Sequence, residues 1–463
     1  MGNLIHTLDS LLWGWPLIIL LIGTHIFMTI RTGFVQKDIF KAIKISVAKD
    51  DDDSGDISQF AALTAALSST IGTGNIVGVG TAIALGGPGA VFWMWITGIL
   101  GMATKYAETL IALKYRVKSK DGTMIGGAMY ALDRGLHMKW LGIIFAFLTA
   151  VCGLGIGCMV QSNSVAQNLQ DNFGISPILT AFVLTIIVML VILNGIQGIA
   201  KVAEKLVPFM AAFYIIGCIW ILVLNHSYLA LTISTILNAA FHPESIAGGF
   251  IGATLSTCFR YGFARGLFSN ESGMGSAPLI ASAAKTKNPK RQAFVSMTAT
   301  FWDTVVICLI TGLVLVSSVI RYPHIDALSG NGALLVSSAF SSLPFLANII
   351  LLVGLITFAF STILGWYYYG ERCSVYLFGE KAIKPYKIIW SICVFIGAVV
   401  SLDVIWDFAD LMNGLMAIPN IIAVLLLHNV IASETKKYNG IHIDDTDTSE
   451  IEVLDNSNKG VIG

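Results

Sequence analysis

Two short stretches put groups that bind ions and zwitterions into otherwise apolar chain. The first is Gly72, Thr73, Gly74 and Asn75, preceded by Ser68, Ser69 and Thr70 and followed by Gly78 and Gly80. The second runs from Asn270 through Glu271, Ser272, Gly273, Met274 and Gly275 to Ser276, just after Arg260 and Arg265. Each glycine costs about 1 kcal/mol of helix propensity, and an asparagine away from water needs a partner. Gly74 and Gly78 alone would suit close helix packing. The contiguous Gly-Thr-Gly-Asn points instead to a helix unwound over 70–75, and the second stretch to one unwound over 270–275. Unwinding frees backbone amides and carbonyls that lipid cannot satisfy. The N-terminal end of a half-helix suits a carboxylate, and its C-terminal end suits an ammonium group or Na⁺. A zwitterionic amino acid matches both.

A third set is Phe358, Ser361 and Thr362, spaced i, i+3, i+4 and so on one helical face. Two hydroxyls and the Phe358 carbonyl, joined by carbonyls of Ser68 and Ile71, make a shell of five oxygens that Na⁺ accepts. A proton would need a titratable group instead, and Glu271 or Asp303 would serve. The competing reading is that Ser361 and Thr362 bond back to their own helix. Gln161 and Asn163 either line the pocket or staple helices, and Trp366 either caps the cavity or packs. Arg260 and Arg265 are expected to pair with Glu271 and bolt the second break. Asp303 and the Lys105/Glu108 set are expected in internal pairs or at an interface.

The elements that position these groups follow from hydropathy. The chain has 463 residues, 55% hydrophobic and 12% charged, with mean hydropathy +0.77. Soluble domains carry about 25% charged residues, so a bilayer is the solvent. Eleven apolar runs are long enough to span it: 11–31, 57–83, 88–114, 140–169, 177–194, 203–224, 249–284, 292–320, 344–370, 385–402 and 408–431. With this count, 24 of the 28 Lys and Arg residues fall on one side and Arg321 alone on the other, the rest lying within spans. The positive-inside rule then puts the N-terminus outside and the C-terminus in the cytoplasm. The N-terminus lacks the basic start and small-residue cleavage site of a secretory signal, so the first helix is expected to be retained.

Both breaks open a group of five spans, spans two to six and seven to eleven, with one extra helix in front. An odd number of helices makes the second group enter from the opposite side. That is an inverted repeat with its site at the repeat interface. The expected organisation is an N-terminal helix and loop (1–56), a first repeat (57–224), an outer connection (225–248), a second repeat (249–431) and a disordered acidic tail (432–463). Residues 225–248 and 325–343 have room for interfacial helices, the latter with small residues that suit a lid. Net charge is zero, which gives no reason to expect nucleic acid. The seven cysteines form no CxxC pair and read as packing residues. No HExxH, GxSxG or phosphate-loop motif suggests an enzyme. No cofactor beyond a coupling ion and no obligate protein partner is inferred.

The strings LSSTIGTGNIVGVGTAIALGGPGAVFWMWITGILGMATKYAE, RGLFSNESGMGSAP and FAFSTILGWYYYGE resemble the alanine/glycine:cation symporter family, over nearly the whole chain except the tail. The resemblance implies import of alanine or glycine coupled to Na⁺, sometimes to H⁺, across a prokaryotic cell membrane. It also implies an all-α, leucine-transporter-type fold. On that likeness the Thr70 carbonyl, Thr73 and the Gly74 amide face the substrate, followed by Asn75. Asn270, Ser272, Gly273, Met274 and Gly275 line the other wall, with Met274 limiting substrate size. Ser68, Ile71, Phe358, Ser361 and Thr362 form the sodium site. A second sodium site near Asn75 and Asn270 occurs in some relatives of the fold.

Overall fold

The computed structural model describes residues 2–48, 55–119, 122–242, 254–325, 330–400, 403–437, 451–453 and 460–461. The regular structure of these residues is helical, apart from one short hairpin. Helices α1 (Gly2–Leu12) and α2 (Trp15–Arg31) lead to α3 (Ile39–Ser46). The first break separates α4 (Gln59–Thr70) from α5 (Val77–Gly86), and α6 (Ala90–Lys114) follows. After strands β1 (Val117–Lys118) and β2 (Met124–Ile125) come α7 (Ala128–Tyr130), α8 (Lys139–Cys152) and α9 (Val160–Phe173). Then α10 (Pro177–Ile192), α11 (Gly195–Leu224) and α12 (His226–Phe241) complete the first half. The second break lies between α13 (Leu255–Asn270) and α14 (Ala277–Ala281). Helices α15 (Pro289–Thr300), α16 (Leu309–Arg321), α17 (Gly332–Ser341), α18 (Phe345–Phe378), α19 (Ile383–Val399), α20 (Asp403–Leu426) and α21 (His428–Lys437) finish the chain.

Among the described residues, seven helices are long and apolar enough to cross a membrane. They match the expected runs 11–31, 140–169, 203–224, 292–320, 344–370, 385–402 and 408–431. Runs 57–83 and 249–284 fall outside this set because each is interrupted, run 177–194 is a 16-residue helix, and run 88–114 carries Lys105 and Glu108 mid-helix. The outward faces of these helices are apolar, as a lipid-facing surface must be: Ile19, Phe182, Leu190, Ile216, Phe209 and Ile388 are all exposed.

Local chemistry sets the element ends. Ser58, Thr254, Asn288 and Asn331 accept the amide three residues on and so cap α4, α13, α15 and α17. Two helices continue through π-helical turns, Gly153–Met159 between α8 and α9 and Phe301–Cys308 between α15 and α16. Such turns re-aim side chains at sites.

The two ends of the bundle differ. At the end that gathers Arg116, Lys118, Arg134 and Lys285, the chain before α4 is joined to the chain after α14. Ile57 and Ala284 bridge in parallel, the Asp56 amide donates to the Ala283 carbonyl (2.8 Å) and the Lys285 amide to the Ile57 carbonyl (2.8 Å). Arg116 donates to the carbonyls of Ser282 (3.1 Å), Ala284 (3.0 Å) and Thr286, sealing that end. The opposite end opens into a vestibule of about 910 Å³ lined by His6, Asp9, Arg260, Arg265, Asp407 and Asp410. Helix α17 sits at its mouth against α5, with Gly80 and Gly332 in backbone contact.

Helices do occur in both connections with room for them, α12 and α17. Within the expected tail, residues 432–437, 451–453 and 460–461 are among those described. The helix runs on to Lys437, and Glu452 and Val453 dock beside β1: the Lys118 amide donates to the Glu452 carbonyl (2.9 Å) and Glu452 pairs with Arg134. Residues 438–450 and 454–459 lie outside the described residues.

Candidate substrate and cation site

The first break begins where α4 loses its ladder. The Ile71 amide still reaches the Leu67 carbonyl (2.8 Å). The next amide, of Gly72, turns to the Asn75 side chain (2.9 Å), and Ile71 and Gly72 are extended. This withdraws the helical partners of the Ser68, Ser69 and Thr70 carbonyls and frees the amides of Thr73 and Gly74. Helix α18 crosses here at Gly365, whose missing side chain would meet Ser69 at 2.6 Å, and Tyr369 bonds Ser69 at 2.5 Å.

The same face of α18 brings the expected cation ligands together. The Thr362 hydroxyl lies 3.2 Å from the Ile71 carbonyl and 2.9 Å from that of Phe358, and the Ser361 hydroxyl is 2.9 Å from the Phe358 carbonyl. Back-bonding is therefore present, yet one hydroxyl proton cannot serve two carbonyls. A cation between α4 and α18 would replace the hydrogen bond across the gap and draw on the hydroxyl lone pairs. Ser68 bonds its own helix through its side chain (2.7 Å), so its contribution would be its carbonyl.

Between the two breaks lies a small cavity of about 20 Å³. Thr70, Gly72, Thr73 and Gly74 form one wall; Gln161, Ile156 and Trp366 form another; Phe268, Ser269, Glu271, Thr362 and Asn413 close it. Three buried polar atoms on this lining have no partner among the described residues: Thr73 Oγ1, Gln161 Oε1 and Asn413 Oδ1. Trp366 enters because Gly157, in the first π turn, leaves it room: a Cβ there would lie 2.2 Å from that of Trp366. Phe268, Thr73 and Gly74 also line the vestibule, so Phe268 stands between the two spaces.

The second break turns the other way. Glu271 takes the left-handed conformation (φ 53°), as do Gly273 (91°) and Gly275 (78°). These turns carry residues 272–275 toward α6 and α20 and leave the Glu271 side chain on the cavity. Its carboxylate accepts from Trp366 Nε1 (3.1 Å) and Ser276 (2.5 Å). Ser272, Gly273, Met274 and Gly275 do not line the cavity in this conformation: Ser272 bonds Thr300 (3.0 Å), the Gly273 and Gly275 amides bond Glu108, and Met274 is packed away. Asn75 likewise turns from it, donating to Asp303 (2.5 Å), and Asn270 bonds Thr97 (3.4 Å). Asp303 also accepts from Ser269 (3.0 Å) and Thr304 (2.6 Å), tying the two broken helices together.

The expected Arg–Glu bolt is not formed. Arg265 pairs with Asp410 (3.7 Å) at the vestibule and Arg260 donates to the Ser10 carbonyl (3.4 Å). The cation at the break is Lys105. Asn163 staples α9 to the carbonyls of Gly397 and Val400. Asn413, Phe268 and Ile156 are cavity residues that hydropathy and motif did not single out. A signal existed for Asn413: with Asn420 it places two amides seven residues apart on one face of an apolar helix.

Two interrupted helices around a polar cavity define the leucine-transporter-type class of secondary transporter. Solved structures agree on the fold: MhsT in complex with L-phenylalanine (TM-score 0.60, 15% identity, 84% of this chain and 94% of that one) and a Na⁺-coupled sialic acid symporter (0.51, 10%, 91% and 86%). The chain belongs to the sodium:alanine symporter family, which it matches over residues 1–451. It is 49% identical to the sodium/alanine symporter AgcS of Methanococcus maripaludis, over 95% of this chain and 97% of that protein. It is 35% identical to the amino-acid carrier protein AlsT of Bacillus subtilis (94% and 92%) and 35% to the probable sodium/glutamine symporter GlnT of the same species (94% and 90%).

Proposed function

We propose that this chain imports alanine and glycine together with Na⁺ across a prokaryotic cell membrane by alternating access. The observation that carries the reading is the meeting of Thr362 with the Ile71 carbonyl beside free amides of Thr73 and Gly74. The substrate carboxylate binds those amides next to the ion. The ammonium group lies toward Glu271, Gln161 Oε1 and Asn413 Oδ1. Trp366, Phe268 and Ile156 leave space for a hydrogen or a methyl group.

Eleven crossings fit the chain best, in two five-helix units of opposite orientation behind one extra helix. Supporting this, each unit opens with a broken helix, and the connection after its second crossing holds a short helix: Ala128–Tyr130 at the sealed end, Gly332–Ser341 at the open end. The basic residues put the N-terminus outside, so the vestibule faces the exterior and the sealed end the cytoplasm. Ser272–Gly275 stay off the cavity, with the Gly273 and Gly275 amides on Glu108, so the substrate carboxylate is assigned to the first break.

Labelled alanine uptake into proteoliposomes tests the coupling. An inward Na⁺ gradient should drive accumulation, and uptake that proceeds equally without one would sink the proposal. The proton-coupled alternative rests on Asp303, a buried carboxylate with no cation partner among the described residues. It predicts uptake driven by pH alone and abolished in Asp303→Asn.

A further inference from the structure

Lys105 and Glu108 form a buried ion pair on α6, 3.3 Å apart, with side chains at most 1% exposed. Neither lines the cavity. Burying two charges costs several kcal/mol per ion before any return, so a packing role alone is a poor account of them. Their bonds go to one place. Glu108 Oε2 accepts the Gly273 amide (3.1 Å), the Gly275 amide (3.2 Å) and Asn420 Nδ2 (2.8 Å). Lys105 Nζ donates to the Glu271 carbonyl (3.0 Å). The carboxylate thus fills the amide nest of the second break, and the ammonium holds the carbonyl just before it. Asn420 also donates to the Gly273 carbonyl (2.9 Å), closing the set.

Two consequences follow. A substrate carboxylate cannot use the amides of Gly273 and Gly275, because the chain's own carboxylate holds them; only the first break remains open to it. Lys105 and Glu108 pair with each other, and Glu271 supplies the carboxylate on a cavity whose other open atoms include two amide oxygens. Glu271 sits in a left-handed turn that few side chains adopt, and the bonds from α6 to its own carbonyl and to the amides of Gly273 and Gly275 hold that turn.

We propose that Lys105 and Glu108 are positioning residues for amine recognition: they occupy the second break, fix Glu271 toward the cavity and so impose one orientation on the bound amino acid. This rests on the reading that Glu271 faces the substrate ammonium.

The test uses the full chain in proteoliposomes, measuring alanine KM, Vmax and Na⁺ half-saturation for Glu271→Gln, Glu108→Gln, Lys105→Met and the double variant Glu108→Gln/Glu271→Gln. Glu271→Gln should raise alanine KM about tenfold, and Glu108→Gln and Lys105→Met about fivefold, with Na⁺ half-saturation within about twofold. The double variant should be no worse than Glu271→Gln, because the two act through one contact. Glu108→Asp, which keeps the charge one methylene short, should fall between wild type and Glu108→Gln and stands in where Glu108→Gln does not fold. An unchanged KM in Glu271→Gln overturns the ammonium reading. A raised KM there, with only Vmax lowered in the α6 variants or with multiplicative effects in the double variant, overturns the positioning role.

Discussion

Gly72 shows how little room the cation contact leaves. A methyl group on it would lie 2.7 Å from Thr362 Oγ1 and 3.7 Å from Gln161 Oε1. Gly72→Ala should therefore push Thr362 off the Ile71 carbonyl and raise Na⁺ half-saturation for alanine uptake by about tenfold, the worth of one good contact at ~1.4 kcal/mol. Thr362→Val should do the same by removing the oxygen, whereas Thr362→Ser should stay near wild type. Equal Na⁺ dependence in all three would remove Thr362 from the ion site. Gly78 is the control: nothing lies within 4 Å of a Cβ there, so Gly78→Ala should be silent.

Breaks and π turns do different work at the scale of elements. The breaks expose backbone; the π turns shift whole side chains into register. The Gly153–Met159 turn brings Gly157 against Trp366 and Gly155 against Ala409. Gly157→Ala cannot be relieved by a rotamer change, since the clash is with the Trp366 Cβ at 2.2 Å. Overpacking of this kind costs about 1–3 kcal/mol. The variant should lose several degrees of thermal stability in detergent and bind alanine weakly, because Trp366 then releases Glu271. Normal alanine binding in Gly157→Ala would show that Trp366 does not shape the cavity.

Across the whole molecule, access depends on which end is held shut. Arg116 closes the basic end by donating to three carbonyls beyond α14. Hydrogen bonds to a charged group contribute about 1.5–3 kcal/mol, enough to bias two states that differ by a few kcal/mol. Arg116→Ala should shift the population toward opening at that end. A cysteine at Ala284, buried in this state, should then react with a membrane-impermeant thiol reagent applied at that end faster in Arg116→Ala than with Arg116 intact. The tail adds a second tie through Arg134 and Glu452; Glu452→Lys should release it and raise protease cleavage at residues 451–453 without changing alanine KM.

Composition and periodicity alone settled the solvent, the all-α class and the two breaks, because clustered glycines and asparagines destabilise a lipid-length helix unless its freed backbone binds something. The spacing of Phe358, Ser361 and Thr362 likewise predicted a shared face, since that depends only on 3.6 residues per turn. What the second break faces was decided by tertiary structure. Three left-handed residues point 272–275 away from the cavity and Glu271 into it, and no local pattern specifies that direction. The partners of buried charges were equally hidden: Arg265 stands six residues from Glu271 yet pairs with Asp410, while Lys105, 166 positions away, takes the Glu271 carbonyl. A buried charge is satisfied by whatever the packing brings within about 3 Å, and that is a property of the folded bundle rather than of neighbours in the chain.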